Sequence, residues 1–458
     1  MKRSTLATAV LSLTALPALF AQTAAKSSAI IPANPGVSTQ TLLSGAGRVV
    51  IPQSSIAHTF DAGLRAHTHF KILVPSGQTE GVSGFSAAES ASKIGKLATQ
   101  PVSGYYAETP ASLACLYNVV TVTSGCNMAS VTTVATGGSR AIAIVDAYHY
   151  PTALADLTVY SRQFGLPAPT ASTFTVAYQG STMPSVDPDC SYYGGWDCWA
   201  AEAALDIEMA HAMAPSAHVY LVEANSSSNS DLFAAVTKAV TLVQAAGGGE
   251  VSMSWGGSEF YGEAAYDSKL TGSNVVFFAS TGDSEGTNYP SVSPNVVAVG
   301  GTTLSRNPST LSFEGETAWE DTGGGYSIYE ARPAFQSSIS ALVSTHRGVP
   351  DVSAVGNPRT GVWVYMSYDN TSEGTLYAWN IFGGTSVAAP LWAGIVNHAG
   401  HFSASTATEQ TLIYANAKTT TAYRDVSYGT CGYYEGWSAV SGWDPCSGNG
   451  APLGTVGK

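Results

Sequence analysis

A chain of 458 residues is long for one domain but within the range of a large α/β enzyme once leader segments are set aside. Hydrophobic residues make up 45% and charged residues 11%, so much of the surface must be Ser, Thr, Gly, Asn and Tyr, a surface that gathers little positive charge as the pH falls. The net charge of −13, with no basic cluster to offset it, argues against nucleic acid as a partner.

In chain order, "MKR" followed by the apolar "LATAVLSLTALPALF" has the layout of a secretory signal peptide over residues 1–25, with cleavage expected after Ala21 or Ala25. The apolar run is short and Pro17 interrupts it, and no other segment is long enough to span a bilayer, so a membrane anchor is not expected. Residues 26–104 are rich in Ser, Ala, Gly and Gln, with strand-like runs such as "HFKILVP"; they read as a propeptide or a loosely ordered N-terminal region. From about residue 140, apolar runs alternate with helical patterns: "AIAIVDAY" then "TALADLTVYSRQFG", "TFTVAYQ" then "WAAEAALDIEMAHAMAP", "HVYLVEA" then "SDLFAAVTKAVTLVQAAGGG". After "EVSMSW", "NVVFFAS" and "VVAVGGT" the texture becomes Gly- and aromatic-rich and ends in a Gly/Asp/Asn tail. This alternation predicts an α/β fold, a parallel sheet covered by helices on both faces, with functional residues at the carboxyl ends of strands. Residues 105–458 read as one domain. The six cysteines fall into three local pairs, Cys115 with Cys126, Cys190 with Cys198 and Cys431 with Cys446, which behind an export signal suggests three short-loop disulfides.

Within "GGTSVAAP", Ser386 opens an apolar helix and could be either a nucleophile or a helix N-cap. A nucleophile needs a base and an oxyanion site. Glu202 and Asp206 lie one turn apart on a helix whose other residues are mostly apolar, with no Lys or Arg partner at i,i+4. A buried pair of like charges raises at least one pKa, as general acid/base work requires. Asp283 follows the strand "NVVFFAS" in a tight turn, where a protonated carboxyl could donate to a developing oxyanion. His211 and His218 are read as structural.

The ordered set "EAALDIEMAHAMAP", "SWGGSE", "STGDSEGTNYPSVSPNVVAVGGT", "GGGYS", "RGVPDVSAVGNPRTG" and "GGTSVAAP" resembles the sedolisins, serine-carboxyl peptidases with a subtilisin-like fold. The resemblance runs from about Thr109 to about Gly454. It implies Ser386 as nucleophile, Glu202 as its general base, Asp206 as the residue that orients and polarises Glu202, and Asp283 as the oxyanion partner. Ser254, Trp255 and Gly256 of "SWGG" would form part of the substrate cleft. It also implies one structural Ca²⁺ in the tail loop, 425–450, held by the carboxylates of Asp425 and Asp444 and by carbonyls of Val426, Val440 and Gly442, with Val440 standing where Gly is usual. Asp146, at the end of the first strand of the domain, is either a relay acid behind the base or a strand-end cap. The N-terminal region is shorter than the prodomains usual in the family.

The function this implies is a secreted, extracellular or periplasmic, acid-active endopeptidase, a monomer acting on protein and peptide substrates. Alternatives are a tripeptidyl exopeptidase of the same family and a secreted binding or adhesion domain on a decayed protease fold. A neutral subtilisin would need a His followed by Gly near an early strand–helix junction, and none of the nine histidines is followed by Gly.

Overall fold

The computed structural model describes residues 47–75, 85–86, 100–102, 105–190, 198–368, 377–434 and 436–458. The expected signal peptide and much of 26–104 lie outside these. The predicted parallel sheet is present, its strands running in the spatial order 313–318, 297–306, 275–280, 249–253, 141–147, 218–224 and 174–178, with Val352–Val355 also pairing with 297–306. All neighbours are parallel except 313–318, which runs antiparallel to 297–306.

Period-two alternation along these strands separates two apolar layers. Ile142 and Ile144 face a core shared with the helices Trp199–Met213 and Thr385–Ala399. Ala141, Ala143 and Val145 face Leu232, Phe233 and Val236 of the helix Asn229–Ala245. The helix Trp199–Met213 is buried along its whole length: eleven of its fifteen residues are apolar and lie on all sides, and Glu202, Asp206, Glu208 and His211 are buried with them. It crosses Thr385–Ala399 closely because Gly394 has no side chain: a Cβ there would lie 2.7 Å from Met213 Cβ. Among the described residues no helix is long and apolar enough to cross a membrane.

The three disulfides join the cysteines paired by proximity, 115–126, 190–198 and 431–446. A loosely ordered arm does not describe residues 47–75. Gly47–Val50 and Lys71–Pro75 are antiparallel strands, and Lys71–Pro75 also pairs with Tyr377–Gly383, the strand that leads into Ser386. Phe70, Ile72 and Leu73 are core residues, because insertion of that strand places their side chains against the domain.

The C-terminal loop bonds to the main chain of Asp351, a residue fixed by a buried ion pair. Arg347 Nη1 and Nη2 donate to Asp351 Oδ1 and Oδ2 at 2.7 and 2.5 Å, the Tyr414 hydroxyl adds a bond of 2.8 Å to Asp351, and Asn449 N–H donates to the Asp351 carbonyl at 2.8 Å. Both side chains of the pair are fully buried. Arg347→Met leaves the Asp351 carboxylate uncompensated and is expected to destabilise the fold by about 3–5 kcal/mol. Adding Asp351→Leu should recover much of that loss. Thermal unfolding of the single and double variants measures both; a single-variant loss below about 1 kcal/mol would mean that water solvates the stranded carboxylate.

Candidate active site

Three neighbouring parallel strands, 275–280, 249–253 and 141–147, bring Asp283, Ser254 and Asp146 to one end of the sheet, the carboxyl end where such folds place their chemistry. The helix carrying Glu202 and Asp206 packs over that end, and its first turn is anchored. Asp187 Oδ2 accepts from Trp199 N–H at 3.1 Å, and the Cys190–Cys198 disulfide closes the loop just before the helix. Asp187 and these two sulfurs lie within 4.8 Å of one another, but the sulfurs are bonded to each other, so the group is a helix anchor and not a metal centre.

Ser386 is fully buried in the first turn of its helix. The N-cap is Gly384, with no side-chain cap bond, so Ser386 does not cap the helix. Its hydroxyl donates to the Ser254 carbonyl at 3.2 Å and is also near enough to Glu202 to pull that carboxyl's pKa down. Burial outweighs this pull. Burial first, then repulsion from Asp206 and Asp146, holds Glu202 well above its ordinary pKa. Asp206 is raised well above its own by burial and by Asp146, with Ser254 and Glu202 pulling the other way. Asp146 is pushed up to about 8 by burial and by Glu223. Asp146, left open by the sequence, thus belongs electrostatically to the cluster. Glu208 points elsewhere, accepting from Tyr365 N–H at 3.1 Å.

Asp283 is oriented by Thr385, whose N–H and hydroxyl donate to Oδ1 at 2.8 and 3.0 Å. Oδ2 makes no hydrogen bond. Burial raises Asp283 to about 7 against the opposing pull of Lys71 and Thr385, so below neutrality Oδ2 carries a proton free to be donated. The point it faces is marked by Gly384, where φ is +117° and a Cβ would stand 2.7 Å from Asp283 Oδ2 and 2.1 Å from the carbonyl oxygen of His69. That same carbonyl accepts from Ser386 N–H at 3.1 Å. One main-chain donor thus holds this carbonyl oxygen beside a serine hydroxyl, and Asp283 Oδ2 borders the same space, the one that a Gly384 side chain would fill.

Gly256 and Trp255 pair through their main chains with His67 and Thr68. The Trp255 indole turns into the core and donates to the Val145 carbonyl at 2.7 Å, so only its backbone faces the cleft. His211 bonds the Pro167 carbonyl and His218 bonds Thr175. Sequence reasoning missed His69, the histidine that does reach the site. Its N–H donates to Glu202 Oε2 at 3.2 Å, while its ring bonds Ser280 through Nδ1. The ring is thus turned away from the position of a proton acceptor for Ser386. No motif in "HTHFK" could have announced this.

In the tail, Gly442 N–H donates to both oxygens of Asp425 at 3.2 Å and Val440 N–H to Asp444 at 3.0 Å. The Ser447 hydroxyl joins Asp444 to the Val426 carbonyl at 3.1 Å. Val440, Gly442 and Asp444 lie in the loop that the Cys431–Cys446 disulfide closes, and these hydrogen bonds tie Asp425 and Val426 to it from outside.

The sequence model of the subtilase family matches residues 175–437, more than half of the chain. Kumamolisin of Bacillus sp. (strain MN-32) is 30% identical over 338 residues, covering 65% of this chain and 56% of its own length. Sedolisin of Pseudomonas sp. (strain 101) is 33% identical over 189 residues, 37% of this chain and 29% of that protein. The chain therefore spans little more than half of the first relative and less than a third of the second. The structure of Pseudomonas sedolisin, a serine-carboxyl proteinase complexed with two molecules of pseudo-iodotyrostatin, superposes with a TM-score of 0.59 over 76% of this chain and 95% of that one, at 24% identity, a likeness of fold.

Proposed function

Because the chain belongs to the subtilase family, in its sedolisin branch, we propose that it is a secreted serine-carboxyl endopeptidase that works in acid. The observation that carries the reading is a carbonyl oxygen held by Ser386 N–H beside the Ser386 hydroxyl, with the partnerless Asp283 Oδ2 bordering the same space and Glu202 within reach of Ser386. Ser386 Oγ attacks the scissile carbonyl carbon, and Glu202 takes the hydroxyl proton. Burial and their mutual proximity favour one proton shared by Glu202 and Asp206, so in this reading Asp206 keeps that proton and orients Glu202 while Glu202 receives the one from Ser386. Asp146 behind them sets the proton content of the cluster. The tetrahedral oxyanion is held by Ser386 N–H and protonated Asp283, two fixed donors in a dry site, where such bonds stabilise most. Glu202 then returns the proton to the leaving amine, and water resolves the acyl ester.

Endo-action is favoured over release of tripeptides by the upstream groove. Main-chain bonds continue there past the third residue before the marked carbonyl, with Ala66 N–H on the Ser227 carbonyl and Asn229 N–H on the Leu64 carbonyl, both 2.9 Å. A site built to release tripeptides would be closed at that point. Digestion of a denatured protein at pH 4 tests the reading: internal fragments support it, and release of tripeptides alone would replace it with the exopeptidase.

We assign the tail loop to one Ca²⁺. Two carboxylates with main-chain oxygens are the hard donor set this ion takes. Asp444 is raised to about 6, first by burial, and a bound cation relieves that cost by favouring its ionised form. Asp425 and Asp444, with the carbonyls of Val426, Val440 and Gly442, would hold the ion, which stabilises the loop and takes no part in the chemistry. At a calcium concentration about 100 times Kd the folded state gains about 2.7 kcal/mol. Thermal unfolding of the Ser386→Ala chain should show a rise of several degrees with calcium over chelator, lost in Asp444→Asn; equal midpoints would remove the assignment.

A further inference from the structure

Residues 64–75 lie along the cleft in the direction a bound peptide would take. Before the carbonyl held by Ser386 N–H, which is that of His69, residues His67 and Thr68 pair antiparallel with Gly256 and Trp255. After it, Phe70 stacks on Phe382 with ring centroids 5.1 Å apart, and Lys71–Pro75 pairs antiparallel with Tyr377–Gly383. Lys71 is therefore the second residue beyond the held carbonyl. A substrate bound across Ser386 sets the second residue after its scissile bond at the same place.

A long side chain at that place ends among partners suited to a cation. Lys71 Nζ donates to Asp321 Oδ2 at 2.7 Å and to the Asp283 main-chain carbonyl at 2.9 Å, and it lies 5.0 Å from the centre of the Trp319 ring. These partners are fixed from behind. The Tyr433 hydroxyl donates to Asp321 Oδ1 at 2.5 Å, and Tyr433 N–H is itself held by Glu285 at 2.8 Å. Trp319 is buried against Gly301, where a Cβ would stand 2.6 Å from the indole. The Asp321 side chain keeps 24% of its surface exposed, so water can solvate its charge when the pocket is empty, whereas the Lys71 side chain in the pocket keeps 8%. An uncharged side chain of similar length would cover Trp319 and part of Asp321 while giving that carboxylate no donor in return.

The geometry points to Asp321, Trp319 and the Asp283 main-chain carbonyl as a subsite that selects lysine at the second residue after the bond cut; the inference rests on the peptidase reading above. Two of the three partners, an indole ring and a peptide carbonyl, do not titrate, so they attract a cation throughout the acid range assigned to the activity. The selection falls on the leaving side of the scissile bond. Main-chain pairing on the other side of Ser386 cannot supply it, because that pairing holds backbone atoms and is indifferent to side-chain charge.

The test gives the full chain a mixture of denatured proteins at pH 5 and reads, by mass spectrometry, the residue at the second position after each cut. Lysine is expected there well above its share of the mixture. Two peptides built on one observed cut, alike except for lysine or methionine at that position, should differ in kcat/KM by about tenfold, and Asp321→Asn should lower that ratio severalfold. Cuts without lysine enrichment, or equal rates for the two peptides, overturn the inference and leave the peptidase reading standing. If Asp321→Asn slows both peptides with the ratio preserved, Asp321 supports the fold without reading the side chain, which also overturns the inference. A chain that cuts nothing overturns both.

Discussion

Glu202→Gln is expected to lower kcat for a peptide substrate on the order of 10⁴-fold, close to the effect of Ser386→Ala, because members of such a unit are removed with nearly the same consequence. The fold should not suffer. Glu202 sits fully buried among Asp206 and Asp146, and its elevated pKa records how poorly the site tolerates another negative charge. A neutral amide of the same shape relieves that repulsion, so the thermal midpoint should hold or rise. Joint loss of activity and stability would instead indicate misfolding. Asp206→Asn, acting through Glu202, should cost less, about 10²–10³-fold, and chiefly in kcat. A wild-type chain with no activity at any pH would favour the binding-domain alternative. Retention of a tenth or more of activity in Glu202→Gln would remove Glu202 as the base.

The site was partly legible in the sequence because its chemistry follows short-range rules. Glu202 and Asp206 share a helix face by period alone, and Asp283 follows a strand whose apolar run predicts both its burial and its end. What stayed hidden is long-range. The helix end is anchored by Asp187, and Thr385 orients a carboxyl 102 residues earlier in the chain. The strand Lys71–Pro75 is visible as an apolar run, yet nothing in its residues says that it pairs with Tyr377–Gly383, about 300 residues on. Such pairing depends on where the whole sheet leaves an open edge. Composition therefore reads region 26–104 as a propeptide or a loosely ordered segment, whereas Phe70, Ile72 and Leu73 within it are core residues. Trp255 is the converse case: its position in "SWGG" suggested a cleft wall, but an indole beside an apolar strand is more stable buried with its N–H on Val145 than exposed.

The pH profile should turn on Asp283. Its folded pKa of about 7 lies above its ordinary value, so the carboxyl is protonated and donating below neutrality and becomes an anion facing the oxyanion above it. Activity is thus expected to fall as pH rises through about 7. Asp283→Asn keeps an acceptor for Thr385 and a donor for the oxyanion, and its donor does not titrate. Relative to its own maximum, the Asn variant should retain about tenfold more activity than wild type one pH unit above the Asp283 pKa, while Asp283→Ala should lose about 10²–10³ in kcat throughout. An unchanged alkaline limb in Asp283→Asn would assign that limb to another group. Stability carries the same sign. Asp283, Asp146, Asp206 and Glu202 all bind protons more tightly in the folded chain than in the unfolded one, so their contribution is fully present below about pH 4; the parts due to Asp283 and Asp146 are lost as pH rises through about 7 and about 8. In the Ser386→Ala chain, where self-digestion cannot intervene, the thermal midpoint should therefore be higher at pH 4 than at pH 8. The reverse order would show that the cluster is already ionised in the folded protein, and with Asp283 ionised the proton it donates to the oxyanion, the physical reason for confining this chemistry to acid, would be gone.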